Sequence, residues 1–271
     1  MTQATAHTLG FVGTGTITSA IVIGLHASPD FSSDIVVSPR NADIAAALAR
    51  KFDRVRVATS NQDTVDASDV VFLAVRPQIA DQVLAQLQFR NDQHVVSLIA
   101  TYSLRRVATL VAPASKVACA VPQPTVAIRA GPTVLFPPDP LVAALFARLG
   151  PVVEVDSESE FRSLFAATAA MAAYFTLLDT LRSWLVGHNV DESRAHEYIA
   201  GMFKGLSGVP SHSAGSFGEL AQEFKTKGGL NEQFAKHLAD RGAFDACCTG
   251  LDAILKRISS GANPARDPSS D

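Results

Sequence analysis

From residue 9 to about residue 155 the chain alternates two patterns. Short β-branched runs occupy residues 9–12, 34–37, 55–57, 70–75, 95–99, 117–121, 133–136 and 152–155. Helical stretches separate them. Runs of this kind read as strands, and strands alternating with helices predict a mostly parallel sheet covered on both sides. Ligands bind such sheets at the carboxyl ends of the strands.

Beyond residue 156 the pattern changes. Ser157-Glu158-Ser159-Glu160 reads as a capping box, with Ser157 as N-cap and Glu160 reaching back. A helical pattern then continues to about Val186 without glycine or proline. Its apolar residues surround the helix, from Ala166, Ala167, Ala169 and Ala170 to Phe175, Leu181 and Trp184, so it requires burial on nearly all sides. A small helical domain cannot supply that alone, which predicts a second subunit covering it. Asp191 caps the next helix, over 192–204, and further helices are expected over 217–224, 231–241 and 244–258. The predicted architecture is an α/β Rossmann-type N-terminal domain (1–156), an all-α dimerisation and substrate domain (157–260) and a disordered tail (261–271).

The first apolar run breaks into Gly13-Thr14-Gly15-Thr16-Ile17 before a helix resumes. Gly13 permits a tight turn, Gly15 lets phosphates approach the backbone, and the helix start offers amide donors and a partial positive charge. Thr18 stands where this dinucleotide fingerprint normally has a third glycine or an alanine. After the second run comes Ser38-Pro39-Arg40-Asn41, where NAD(H) sites place an acid for the ribose. Arg40 instead suits a 2′-phosphate, with charge-assisted hydrogen bonds of roughly 1.5–3 kcal/mol each, and Ser38 and Asn41 add polar groups. This predicts NADP(H); the alternative is that residues 38–41 merely cap the following helix. The loop Ala74-Val75-Arg76-Pro77-Gln78, at the end of the fourth run, is a second candidate wall. The loop Val121-Pro122-Gln123-Pro124-Thr125 is a third.

Composition narrows the remaining classes. The 271 residues are 47% hydrophobic with a net charge of −3, and their basic residues are scattered, which disfavours a nucleic-acid partner. Residues 1–7 lack a basic start followed by an apolar stretch, so the cytoplasm is the expected location. The apolar segment 164–178 is shorter than the ~20 residues of a membrane span and reads as a core helix. Cys119, Cys247 and Cys248 have no metal-ligand spacing and read as reduced, chemically silent residues. No histidine is placed to share a metal with another.

Taken together, the Gly-x-Gly turn, Ser38-x-Arg40-Asn41, Leu73-Ala74-Val75-Arg76-Pro77-Gln78, Ser97-Leu98-Ile99-Ala100 and Lys225-Thr226-Lys227-Gly228-Gly229-Leu230-Asn231 resemble the pyrroline-5-carboxylate reductase family. The resemblance runs in order from Leu9 to Ile258. It implies an NADP(H)-dependent Rossmann domain, a helical domain forming an intertwined homodimer or higher homo-oligomer, and hydride transfer to the C=N carbon of a small cyclic imino acid. It further implies that Gly228, Gly229 and Leu230, with Met171, form the substrate side, and that Thr226 or Asn231 orients the imine nitrogen or a water. Two departures alter that site. The family's Ser-Gly-Ser-Gly-Pro-Ala-Tyr turn is replaced by Thr168-Ala169-Ala170-Met171-Ala172-Ala173-Tyr174, and in the late loop Lys227 replaces proline while Asn231 replaces a substrate-contacting threonine. Two rival readings stay open. A β-hydroxyacid dehydrogenase would need a lysine on the interdomain helix, and residues 165–178 contain none. A non-catalytic NADPH-binding dimer would explain the lost turn but not the retained Thr226, Gly228 and Gly229.

Overall fold

A computed structural model describes residues 7–99, 101–209 and 215–260. The expected tail, Ala100 and His212 lie outside these residues. The N-terminal part is one eight-stranded sheet, and its strands coincide with the eight β-branched runs. They are β1 (Leu9–Val12), β2 (Ile35–Val37), β3 (Val55–Val57), β4 (Val70–Leu73), β5 (His94–Ser97), β6 (Lys116–Pro122), β7 (Thr133–Phe136) and β8 (Val152–Glu154). Their order across the sheet is β3-β2-β1-β4-β5-β6-β7-β8. The order in which strands are added reverses at β1, with β2 on one side and β4 on the other. That switch point is where ligands enter a doubly wound sheet.

All neighbours are parallel except β6 and β7. The segment 123–132 joining these two strands holds only a short 3₁₀ turn, Pro124–Ile128. It is too short for a crossover helix, so the chain folds straight back.

Alternation along the strands builds two cores. Leu9, Phe11, Val70, Phe72, Val96, Ala118 and Ala120 face one side, while Val12, Val71, Leu73, Val95, Cys119 and Val121 face the other. On the first face Phe11 stacks on Phe72 with ring centroids 4.6 Å apart, and Phe146 meets Phe72 edge-on at 6.1 Å. Each such buried ring contributes roughly 1.5–3 kcal/mol. The helices over these faces are α1 (Thr16–His26), α2 (Ala42–Lys51), α3 (Asn61–Asp66), α4 (Pro77–Leu84), α5 (Leu104–Leu110) and α6 (Pro140–Ala147).

The expected long helix is two helices, α7 (Glu158–Ala167) and α8 (Ala170–Gly187). Between them Thr168 and Ala169 form a turn, tightened by the Met171 N–H donating to the Thr168 carbonyl at 3.2 Å. Ala169 keeps right-handed helical angles, so a break is made here without glycine or proline. The Ser157 cap is present: its Oγ accepts from the Glu160 N–H at 3.2 Å and its hydroxyl donates to the Glu160 carboxylate at 2.9 Å. Glu160 thus reaches back to the hydroxyl. The chain continues as α9 (Glu192–Gly208), capped by Asp191 as its sequence predicts, then α10 (Phe217–Glu223), α11 (Leu230–Asp240) and α12 (Ala243–Ser259).

The chain divides into two compact units. One extends to Ala166 and includes the chain again from Leu255; the other is Ala167–Ile254. The first therefore continues past the end of β8 through most of α7. Within the second unit, α8 and α9 pack together through Tyr174 and Phe203, whose ring centroids lie 6.0 Å apart, and through an Arg182–Glu192 ion pair at 2.9 Å. The core-helix expectation fails within a single chain, since no residue of α8 is buried. Phe175 is 66% exposed and Trp184 61%. The run Glu158–Gly187 is long and apolar enough to cross a membrane by length and composition, and it too is almost wholly uncovered.

Candidate cofactor cleft and substrate loop

Where β1 ends, the backbone is pressed against the end of β4. Gly13 has φ +105°, and a Cβ there would lie 2.6 Å from the Ala74 carbonyl oxygen, so a side chain is excluded by conformation and by space. Three hydroxyl bonds hold the turn. Ser38 Oγ accepts from the Gly13 N–H at 2.9 Å, Thr14 donates to the Ser38 carbonyl at 2.6 Å, and Thr18 donates to the Gly13 carbonyl at 2.6 Å. Thr18, fully buried, therefore ties the helix to the turn at the position where the fingerprint has a small residue. Gly15 stands at the N-cap of α1, no side chain caps that helix, and open space faces its Cα. A negatively charged ligand can approach the exposed helix start.

This turn forms one wall of a cleft of about 430 Å³. Gly13, Thr14 and Gly15 line it, with Arg40 and Asn41 from the end of β2 and Ala74, Arg76, Gln78 and Ile79 from the β4–α4 loop. None of these is acidic. Neither the Arg40 nor the Arg76 guanidinium forms an ion pair or side-chain hydrogen bond among the described residues. Asn41 stands at the N-cap of α2 with φ +66°, but its side chain makes no capping bond. Helix capping therefore does not occupy the Asn41 amide.

The other expected cofactor residues are placed differently. Ser38 is fully buried and braces the glycine turn from behind. Thr16 and Ile17 belong to the first turn of α1, Val75 packs against the second core, and Pro77 begins α4. The sequence places Gln78 in the candidate loop but gives no assignment to Ile79, which also lines the cleft. The proline at the start of α4 was the available signal, since it fixes where that helix begins and hence what its first turn presents.

In the second unit, Gly228 has φ +73° and its N–H donates to Glu232 Oε2 at 2.7 Å. Gly229 is the N-cap of α11, and a Cβ there would lie 2.2 Å from Thr226 Oγ1. Both glycines are therefore required by geometry. The Asn231 amide donates to the Phe224 carbonyl at 3.0 Å, so it braces the loop. Leu230 is 84% exposed, and Met171 stands partly exposed on α8. Cys119 is buried, which pushes its thiol pKa up to about 12 and leaves it without nucleophilic chemistry. Among the described residues no three histidine, cysteine or acidic side chains group to hold a metal ion.

A doubly wound sheet carrying a glycine turn, an uncapped helix start and an acid-free cleft, followed by a helical unit, defines a dinucleotide-dependent oxidoreductase. The family model described as NADP oxidoreductase, coenzyme F420-dependent, matches residues 8–101. The chain is 26% identical to the pyrroline-5-carboxylate reductase of Haemophilus influenzae over 234 residues, 82% of this chain and 85% of that protein. Crystal structures of 1-pyrroline-5-carboxylate reductase from Streptococcus pyogenes share the fold, with a TM-score of 0.82 at 24% identity over 95% of this chain and all of that one. The NADP-bound Plasmodium falciparum pyrroline carboxylate reductase also gives 0.82, at 16% identity over 95% and 98%. The chain belongs to the pyrroline-5-carboxylate reductase family, as a divergent member.

Replacing Thr18 by valine conserves shape and removes the bond to the Gly13 carbonyl. Urea unfolding should show a loss of about 1 kcal/mol. An unchanged midpoint would mean the hydroxyl does not hold the turn.

Proposed function

We propose that this chain is an NADPH-dependent reductase of a small cyclic imine, reducing pyrroline-5-carboxylate to proline. The observation that carries the cofactor reading is the acid-free cleft, where Arg40 and Arg76, without an ion pair among the described residues, stand beside the glycine turn. The residues fit the dinucleotide. The amides of the Gly13–Gly15 turn and the start of α1 suit its pyrophosphate, and Arg40, with Asn41 adjacent, suits a 2′-phosphate that an acid at this place would repel. Bound there, NADPH supplies a hydride for the imine carbon; the C=N π pair passes to nitrogen, which is protonated. The chain's task is then to position the partners and keep the imine charged, which needs neither metal nor nucleophile.

For the substrate, the Gly228–Gly229 turn at the start of α11 offers amides to a carboxylate, with the Thr226 hydroxyl beside them. Gly228 N–H is engaged by Glu232, so a substrate carboxylate takes over that donor from a side chain of the same helix. We assign Asn231 to holding the loop in shape and Thr226 to orienting the imine nitrogen or a water.

The active form is a homodimer or a larger homo-oligomer. An α8 that exposes Phe175, Leu177 and Trp184 along its length is the support for this, because a second copy of the same apolar face would remove that surface from water. Location in the cytoplasm accords with three unpaired cysteines.

Two measurements test these readings. In equilibrium titrations Arg40→Ala should weaken NADPH binding by roughly ten- to a hundredfold and leave NADH nearly unchanged. Equal affinity of the wild type for the two cofactors would refute the 2′-phosphate assignment. Sedimentation at micromolar concentration should show a dimer or larger species, and a stable monomer would refute the assembly.

A further inference from the structure

The start of α4 carries Arg76, Gln78 and Ile79 into the cleft with one local bond, from the Ile79 N–H to the Arg76 carbonyl at 3.1 Å, and no side-chain cap. Arg76 occupies the N-cap without a side-chain capping bond, and Pro77 follows with no N–H to offer. The anchor comes from elsewhere in the sheet unit. Tyr102, which follows β5, is 6% exposed, and its hydroxyl lies 2.8 Å from Asp81 Oδ1 and 3.4 Å from the Pro77 carbonyl oxygen. It therefore reaches α4 at two points one turn apart, Pro77 at its start and Asp81 in its second turn.

Tyr102 is itself fixed on three sides. Its N–H donates to the Ile99 carbonyl at 2.9 Å, its ring belongs to the apolar cluster on which Val75 packs, and the Arg106 guanidinium lies 3.9 Å above the ring. Arg106 also pairs with the second oxygen of Asp81. Burial, and secondly the hydrogen bond to Asp81, raise the phenol pKa, so the group remains a donor at neutral pH and well above it. The chain between β4 and α4 is thus held between the Gly13 turn at one end and this cluster at the other.

We propose that Tyr102, acting through Asp81 and the Pro77 carbonyl, is a positioning residue for NADPH: it sets the height of the α4 start and so the placement of Arg76, Gln78 and Ile79 against the cofactor. The proposal rests on the cofactor reading above. It concerns a residue that touches neither cofactor nor substrate, and its effect falls on cofactor affinity and not on the chemical step.

The test is NADPH titration and steady-state kinetics on the full chain. Tyr102→Phe keeps the ring and removes the hydroxyl. It should raise the NADPH dissociation constant and KM about fivefold, with kcat within a factor of two. Asp81→Ala should give the same rise, and the double variant should be no worse than either single change, because both remove one linkage. Asp81→Asn, which retains an acceptor for the phenol, should recover most of the affinity. A merely structural tyrosine would lower the melting temperature and leave the dissociation constant unmoved, and that result, or additive effects of the two changes, overturns the proposal. Should the wild type fail to bind NADPH, the cofactor reading falls and this proposal with it. Wild-type binding with an unaltered Tyr102→Phe variant overturns the positioning role alone.

Discussion

A backbone contact governs the cleft: Gly13 lies so close to the Ala74 carbonyl that no side chain fits between them. The contact joins the two strands on which the sheet's order turns, β1 and β4, at their carboxyl ends. It requires Gly13 to adopt a positive φ, and the hydroxyls of Thr14, Thr18 and Ser38 satisfy the polar groups of this tight turn. With the turn fixed, α1 starts at a defined point, its uncapped amides face the cleft, and Arg40 and Arg76 stand on opposite loops around it. Tyr102 does for α4 what Ser38 and Thr18 do for α1.

Much of this was legible in the sequence for a physical reason. A strand buried on both faces is a near-continuous apolar run, which made central strands such as β1 and β4 readable, while the edge strands β3 and β8, with exposed residues, were readable from their valines; the glycine turn and Arg40 follow from what a dinucleotide demands of a strand end. Strand direction was less readable. β7 runs antiparallel because only residues 123–132 connect it to β6, and that follows from connection length and not from the composition of either strand. Ser38 shows another limit. A serine ending a strand next to an arginine reads as a ligand, but its register turns the hydroxyl inward to the Gly13 amide. The turn at Thr168–Ala169 carries no glycine or proline, so periodicity alone runs straight through it. Asn231 and Glu232 also escaped full reading, because their bonds join groups around a turn whose shape only the fold reveals.

The helical unit is unfinished in a different sense. Its ion pairs and aromatic contacts join α8 to α9, but among the described residues no side chain of α8 is buried. The same girth that made the sequence demand burial is what a second copy would satisfy. Asp179 and Arg182, in the second half of the helix, pair with each other, and Arg182 also pairs with Glu192. The replaced Thr168–Tyr174 segment lies at the start of this helix. There the family's hydroxyls and glycines have become alanine and methionine, so the apolar character of α8 extends into the region implied for substrate.

The central claim is that this divergent site still reduces the family's imine with NADPH. Its most direct test is the oxidation of NADPH by the wild-type chain with pyrroline-5-carboxylate as the sole acceptor, run beside NADH. We expect steady turnover to proline, with NADPH at least tenfold better than NADH in kcat/KM. Tight NADPH binding with no oxidation of the cofactor in the presence of the imine would contradict it.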